Sequence, residues 1–381
     1  MKRIDFFIVI YTIIILLSLM YATQPLQPLL AEEFNVSIAQ ASSFTGVIML
    51  FLAIAPIIYG YILERVNAKR VLIVASLILC TTNICLGFSN SYEVFLFLRT
   101  CEAVVVPAIL TACMSILASD KKNIKLNMSI YVASTVFGGL VGRVMSGLIA
   151  TQFGWRYVFF SLSLTLLVGL YFIAKLSFTG EATLTKAKVH DALLILKDRR
   201  FFVIYLLMFT VFFVFGGVLN ILPFRIKEQF PDVTEAHIGL LYLGYGVGIV
   251  VSLMIHKIVN IFKKELHAIM FGLFVLIASI ILFLNDNIWF IFSIVFVLCF
   301  GMFTVHTVST RLANSMKESQ KSLTSGMYLT FYYLGGAVGT IIPAMIYQHF
   351  GWEITLATFS GVLIFVAWVV NVNRHHFKAY N

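Results

Sequence analysis

Apolar stretches of about twenty residues follow one another along almost the whole of this 381-residue chain. A helix needs about 20 mostly apolar residues to cross the hydrocarbon core of a bilayer. Twelve stretches have that character: 6–30, 39–63, 71–89, 93–118, 127–151, 157–178, 201–226, 237–258, 266–284, 288–313, 322–347 and 353–373. Backbone polar groups facing lipid find no water, so each stretch is expected to be helical. The alternating segments of roughly ten residues that mark a transmembrane barrel are absent. With 60% hydrophobic and 12% charged residues, the chain lies far from the about 25% charged content of soluble domains. The expected fold class is an all-α membrane protein of twelve transmembrane helices. The first stretch is too long for a signal-peptide core and no A-x-A-like site follows it, so it reads as an uncleaved first helix.

A formal charge of +10 raises the question of a nucleic-acid partner, and the placement of the charge answers it. With both termini cytoplasmic, 22 of the 27 basic residues fall in cytoplasmic segments, among them Lys121, Lys122, Lys125, Lys263, Lys264, Arg374 and the group from Lys175 to Arg200. The outer loops hold Arg156, Arg225 and Lys227, which leaves Arg99 and Arg143 inside spans. That asymmetry is the positive-inside pattern. It predicts a multi-pass protein of the cytoplasmic membrane with both termini inside, whose basic charge sets topology rather than binding nucleic acid.

The five cysteines all fall within apolar stretches without a CxxC pair, so no disulfide framework, metal site or cofactor is expected. The chain has no H-E-x-x-H, G-x-S-x-G or G-x-x-x-x-G-K-[ST] motif, which argues against an intramembrane protease, a serine hydrolase and an ATP-driven pump. The run Gly244–Gly248 lies within a span with no preceding strand and is not read as a nucleotide loop. No enzymatic activity is expected.

The longest polar interruption, 179–200, divides the stretches six and six: a first bundle over 1–178, a cytoplasmic linker over 179–200 and a second bundle over 201–381. The halves are related. GGLVGRVMSGLIATQFGW from Gly138 to Trp155 returns without a gap as GGAVGTIIPAMIYQHFGW from Gly335 to Trp352, with eight of eighteen positions identical. Parallel repeats of this kind place a substrate site near the midplane between the halves. Gly138 and Gly142, like Gly335 and Gly339, stand four apart on one helix face, a spacing of small residues that lets two helices approach closely.

The loop GYILERVNAKRVL, Gly60 to Leu72, resembles the G-x-x-x-D-R-x-G-[RK]-[RK] loop of the major facilitator superfamily. Glu64 stands for the aspartate, Arg65 for the arginine, and Lys69 and Arg70 for the basic pair. Asn67 takes the glycine position, where it tolerates left-handed backbone better than most residues. The fourth span, LFLRTCEAVVVPAIL, is similar to the family's R-x-x-Q-G signature, with Arg99 at the arginine, Glu102 at the glutamine and Ala103 at the glycine. The fifth resembles the G-x-x-x-G-P-x-x-G-G signature of the proton-coupled drug-antiporter branch, with Arg143 in the proline position and Gly147 following. The resemblance implies two pseudo-symmetric six-helix bundles, action as a monomer, transport of a small molecule, and a cytoplasmic gate built from Gly60, Glu64, Arg65, Lys69 and Arg70.

Charges at membrane depth are costly and mark pathways or relays. Away from the span ends there are three: Arg99, Glu102 and Arg143. Arg99 and Glu102 lie three apart on one helix face, and burial and a nearby arginine act on a carboxyl in opposite directions. They are the expected proton-coupling pair. Arg143 is matched by Thr340 in the second copy, so helix packing does not require it. It is expected at the substrate, or as a counter-ion to Glu102. With Glu102 ionised the three sum to plus one, which suits an anionic or zwitterionic compound. Tyr21, Gln24 and Gln27, between Pro25 and Pro28 or beside them, and Asn220 ahead of Pro223 are further candidate substrate contacts. His306 and the tyrosines at 242, 245, 332 and 333 are weaker ones. The expected function is export of a small organic compound, drug-like or a metabolite, by proton antiport. The alternative on the same fold is a proton-coupled importer or an exchanger of small anions.

Overall fold

The computed structural model describes residues 2–62, 66–178, 180, 189–316 and 321–380. It divides into two compact units, Met1–Lys186 with Asp232–Tyr242, and Ala187–Pro231 with Leu243–Asn381.

The first unit contains α1 (Arg3–Tyr21), α2 (Gln27–Glu33), α3 (Ile38–Ile62), α4 (Ala68–Gly87), α5 (Tyr92–Ser119), α6 (Ile124–Phe153), α7 (Trp155–Ala174) and the short α10 (Glu235–Leu241). Local chemistry sets several boundaries. Asn67 caps α4 by accepting from the Arg70 amide at 3.2 Å, and Ser91 caps α5 by accepting from Val94 at 3.4 Å. Such caps satisfy amides that have no partner within the helix. Between α1 and α2 the path breaks into a single tight turn, Gln24–Leu26. Pro25 lies within it and Pro28 in the first turn of α2, each lacking the amide that a continuous helix would need.

The second unit contains α8 (Val189–Lys197), α9 (Arg199–Gln229), α11 (Val247–Phe262), α12 (Glu265–Leu282), α13 (Ile288–Ser315) and α14 (Lys321–Val372). Asn287 caps α13 by accepting from Trp289 at 2.9 Å and Phe290 at 3.1 Å. α14 breaks at Gly351, where φ is 80° and ψ −176°. Gly154, between α6 and α7, adopts the matching conformation at φ 96° and ψ 156°. Both glycines belong to the duplicated FGW ending, and the region they occupy is open essentially to glycine alone.

Among the described residues, eleven helical stretches are long and apolar enough to cross a membrane. The last, Leu323–Val372, holds the Gly351 break and so contributes two legs. Large apolar side chains such as Val74, Leu77 and Ile78 on α4 are exposed while Val71, Leu72, Ala75 and Leu79 are buried. Exposed apolar surface on this scale would be a liability in water and is ordinary against lipid. The protein is an all-helical membrane protein.

Within each unit, the duplicated glycines bring two helices into backbone contact. A Cβ at Gly138 would lie 2.5 Å from the Ile14 carbonyl of α1, and one at Gly142 would collide with the Ser18 carbonyl. Ser18 Oγ donates to the Gly138 carbonyl at 2.9 Å across the same seam. In the second unit Gly335 and Gly339 stand in the same way against the Phe209 and Phe213 carbonyls of α9.

Candidate functional site

The three charges at membrane depth all lie in the first unit and are almost wholly buried, Arg99 and Glu102 at 0% exposure and Arg143 at 1%. One turn of α5 brings Arg99 and Glu102 to the same face, where Nη1 of Arg99 donates to Glu102 Oε2 at 2.5 Å. The guanidinium reaches further, to the carbonyls of Phe44 on α3 at 3.3 Å and of Leu19 and Met20 on α1 at 3.4 and 3.1 Å. Leu19 and Met20 belong to the last turn of α1, whose carbonyls have lost their helical partners to the break at Gln24–Leu26. A cation there also meets the negative end of the helix dipole. Arg99 therefore ties α1, α3 and α5 together and caps a helix interrupted by proline.

The second oxygen of Glu102 is held from α4. Asn83 Nδ2 donates to Oε1 at 2.7 Å and Thr82 Oγ1 at 3.3 Å. With Arg99 on the other oxygen, the carboxylate is satisfied by three donors from two helices.

Arg143, on α6, faces the same break from the other side. Its Nε donates to Gln24 Oε1 at 2.6 Å and its Nη1 to the Gly139 carbonyl, one turn back, at 2.9 Å. The guanidinium lies 3.9 Å from the centre of the Tyr21 ring and 5.0 Å from that of Tyr242, within the range of cation–π attraction. α10 closes on this part of α6. A Cβ at Gly239 would lie 2.8 Å from the Arg143 carbonyl, and the Ala236 amide donates to Thr151 Oγ1 at 2.9 Å.

The structure thus gathers Arg99, Glu102, Arg143, Tyr21 and Gln24 around the end of α1. Gln27, one turn on, is fully buried and donates to Thr45 Oγ1 at 3.0 Å. Asn220 lies in the second unit and donates to the Thr340 carbonyl at 3.4 Å. His306, also there, meets the Tyr328 hydroxyl at 2.9 Å and packs on the Tyr332 ring, which stacks on Phe212.

Of the candidate gate, Glu64 and Arg65 lie outside the described residues, and Gly60 falls in the last turn of α3. Lys69 Nζ donates to the Leu176 carbonyl at 2.8 Å, and Arg70 is exposed at the start of α4. Sequence reasoning missed Asn83 and Thr82; polar residues in the middle of an apolar span, in LILCTTNICLG, were the available signal. It also missed buried Asp5, which receives the Ser177 amide at 3.0 Å and the Ser177 hydroxyl at 2.5 Å.

The family model for the Major Facilitator Superfamily matches residues 8–339. The chain belongs to that superfamily. Among its relatives is an uncharacterized MFS-type transporter, YybF of Bacillus subtilis, 23% identical over 92% of this chain and 89% of the relative. Another is the multidrug efflux protein YfmO of Bacillus subtilis, 23% identical over 91% of this chain and 87% of the relative. Among solved structures, a bacterial homologue of the human lysosomal transporter Spinster aligns with a TM-score of 0.81 at 14% identity, covering 97% of this chain and 96% of that one. The protein is a Major Facilitator Superfamily membrane transporter.

Proposed function

We propose that this transporter exports a small organic compound across the cytoplasmic membrane in exchange for protons, by alternating access between its two halves, 1–178 and 201–381. The observation that carries the reading is the fully buried Arg99–Glu102 pair at the break of α1. A pair that only held helices together would contribute little net stability, whereas a carboxylate at membrane depth is the group type that relays use.

The surroundings suit repeated loading. When Glu102 takes up a proton, Arg99 keeps the carbonyls of Phe44, Leu19 and Met20, so neither group is orphaned. Arg99 then rests more fully on the end of α1, the same end that presents Tyr21 and Gln24 to Arg143. Proton occupancy at Glu102 and ligand occupancy at Arg143 thereby act on one structural element, as linkage between two sites requires. Arg143, Tyr21, Gln24 and Gln27 are the proposed substrate contacts of the first half and Asn220 that of the second. Gly60, Glu64, Arg65, Lys69 and Arg70 form the proposed cytoplasmic gate, with both termini on the cytoplasmic side and the monomer as the working unit.

Export is favoured by the glycine-rich fifth span and by the efflux role named for one relative. The second reading, a proton-coupled importer or an exchanger of small anions, is favoured by the net positive charge of Arg99, Glu102 and Arg143. Inverted membrane vesicles with an imposed pH gradient separate the two. A panel of cationic, neutral and anionic compounds is expected to contain one that dissipates the gradient as it is taken up. Uptake that exchanges one anion for another without proton movement would replace the antiport reading with the exchanger.

A further inference from the structure

A basic cavity of about 690 Å³ opens in the second unit where α12 begins and α14 ends. Lys264 and His267 line it from the start of α12, and Arg374 and His375 from the turn that follows α14. All four side chains are exposed, and among the described residues no acidic side chain contributes to the lining. The neighbouring acid, Glu265, is paired with Arg311 at 3.0 Å. The cavity is therefore electrostatically complementary to an anion.

Met270 and Val370 supply part of an apolar lining, and the helix faces beyond are apolar and outward. Phe274, two turns past His267 on α12, is 68% exposed, and Trp368, in the last turns of α14, is 60% exposed. His267 and Phe274, seven apart, share a face of α12. Trp368 shares a face of α14 with Asn371 and Val372, three and four residues on, which line the cavity. The lining therefore continues into lipid-facing apolar residues on both helices. A free anion uses the basic part alone. A molecule with an anionic head and hydrocarbon tails uses the cavity and both faces.

We propose that this cavity binds the headgroup of an anionic phospholipid, whose acyl chains lie along Phe274 and Trp368. Basic pockets between transmembrane helices hold acidic headgroups, and each lysine or arginine near the membrane surface strengthens the attraction about fivefold. The site is independent of substrate and transport direction. In the orientation proposed above it faces the cytoplasmic leaflet.

The test places the full chain in vesicles and follows quenching of tryptophan fluorescence by brominated phosphatidylglycerol or brominated phosphatidylcholine. Trp368→Phe gives the signal of the remaining tryptophans for subtraction. Trp368 is expected to be quenched preferentially by the phosphatidylglycerol, and Lys264→Gln with Arg374→Gln is expected to lower that preference by roughly 30-fold, about fivefold for each charge removed. If the double variant does not purify folded, either single exposed-site variant carries the test with about a fivefold loss. Equal quenching by the two lipids in the wild type, or an unchanged preference in the variants, overturns the proposal. So does loss of the preference on adding excess inorganic phosphate but not chloride of equal ionic strength, which reassigns the cavity to a soluble anion.

Discussion

Gln24 accepts a 2.6 Å hydrogen bond from Arg143, whereas Thr340, at the Arg143 position of the second copy, is met by Asn220 only at its backbone carbonyl, at 3.4 Å. The flanking contacts correspond, Gly142 on Ser18 in one unit and Gly339 on Phe213 in the other. The duplicated seam therefore closes equally well around a threonine, and the arginine is an addition to it. Arg143→Thr is expected to leave the transporter folded while raising the substrate KM at least about tenfold, since a hydrogen bond from a charged donor to the substrate is worth about 1.5–3 kcal/mol. Arg143→Lys restores the charge without the planar fork that serves Gln24 and Gly139 together, and is expected to recover only part of the loss. Binding unchanged in both variants would remove Arg143 from the substrate site.

The seam glycines make a second prediction. An added methyl at Gly142 or Gly339 meets backbone rather than a movable side-chain end, so the helices themselves must part. Each alanine variant is expected to lose about 1–3 kcal/mol, the usual range for overpacking, seen as a lower unfolding temperature in detergent. Gly361→Ala, where the new methyl meets nothing within 4 Å, is the control and is expected to be neutral or to gain up to about 1 kcal/mol from alanine's better helix propensity.

Gly154 and Gly351 separate strain from crowding. Neither has a neighbour within 4 Å of an added Cβ, yet both have positive φ. Alanine at either is expected to cost about 1–3 kcal/mol through backbone strain alone. Unfolding temperatures as high as that of Gly361→Ala would show that the two breaks relax freely.

The segment after α7 is fastened to the starts of α1 and α4. Asp5 holds Ser177 through amide and hydroxyl, Lys69 holds the Leu176 carbonyl, and the Ala68 amide donates to Gly180 at 3.0 Å. Asp5→Ala leaves a part-buried amide without its acceptor, expected to cost about 1–3 kcal/mol. Hydrogen exchange at the Ser177 amide is expected to speed up, and unchanged protection would mean that another group takes over.

Much of the architecture was legible because a bilayer leaves a chain few choices. Runs of about 20 apolar residues must be helices, and the boundaries at Asn67, Ser91 and Asn287 carry ordinary capping residues. The interruption of the eighth span by a tight turn over Tyr242–Gly246 was not legible, since its residues remain apolar throughout. At the site, Arg99, Glu102 and Arg143 stood out because charge is rare at depth. Their partners did not. Arg99 is held largely by carbonyls of Leu19, Met20 and Phe44, and a backbone acceptor leaves no mark on sequence composition. Glu102 takes donors from another helix, and pairing between distant segments is fixed by packing rather than by local pattern.

The most direct measurement compares wild type with Glu102→Gln in inverted vesicles, following the imposed pH gradient and ligand binding together for a compound that the wild type transports. The amide is close in shape to the protonated acid, and Arg99 retains its three backbone acceptors, so the variant is expected to bind the compound. It is expected not to dissipate the gradient. A variant that moves protons as the wild type does would contradict the central role given to Glu102 and make the buried pair a structural tie between α1, α3 and α5.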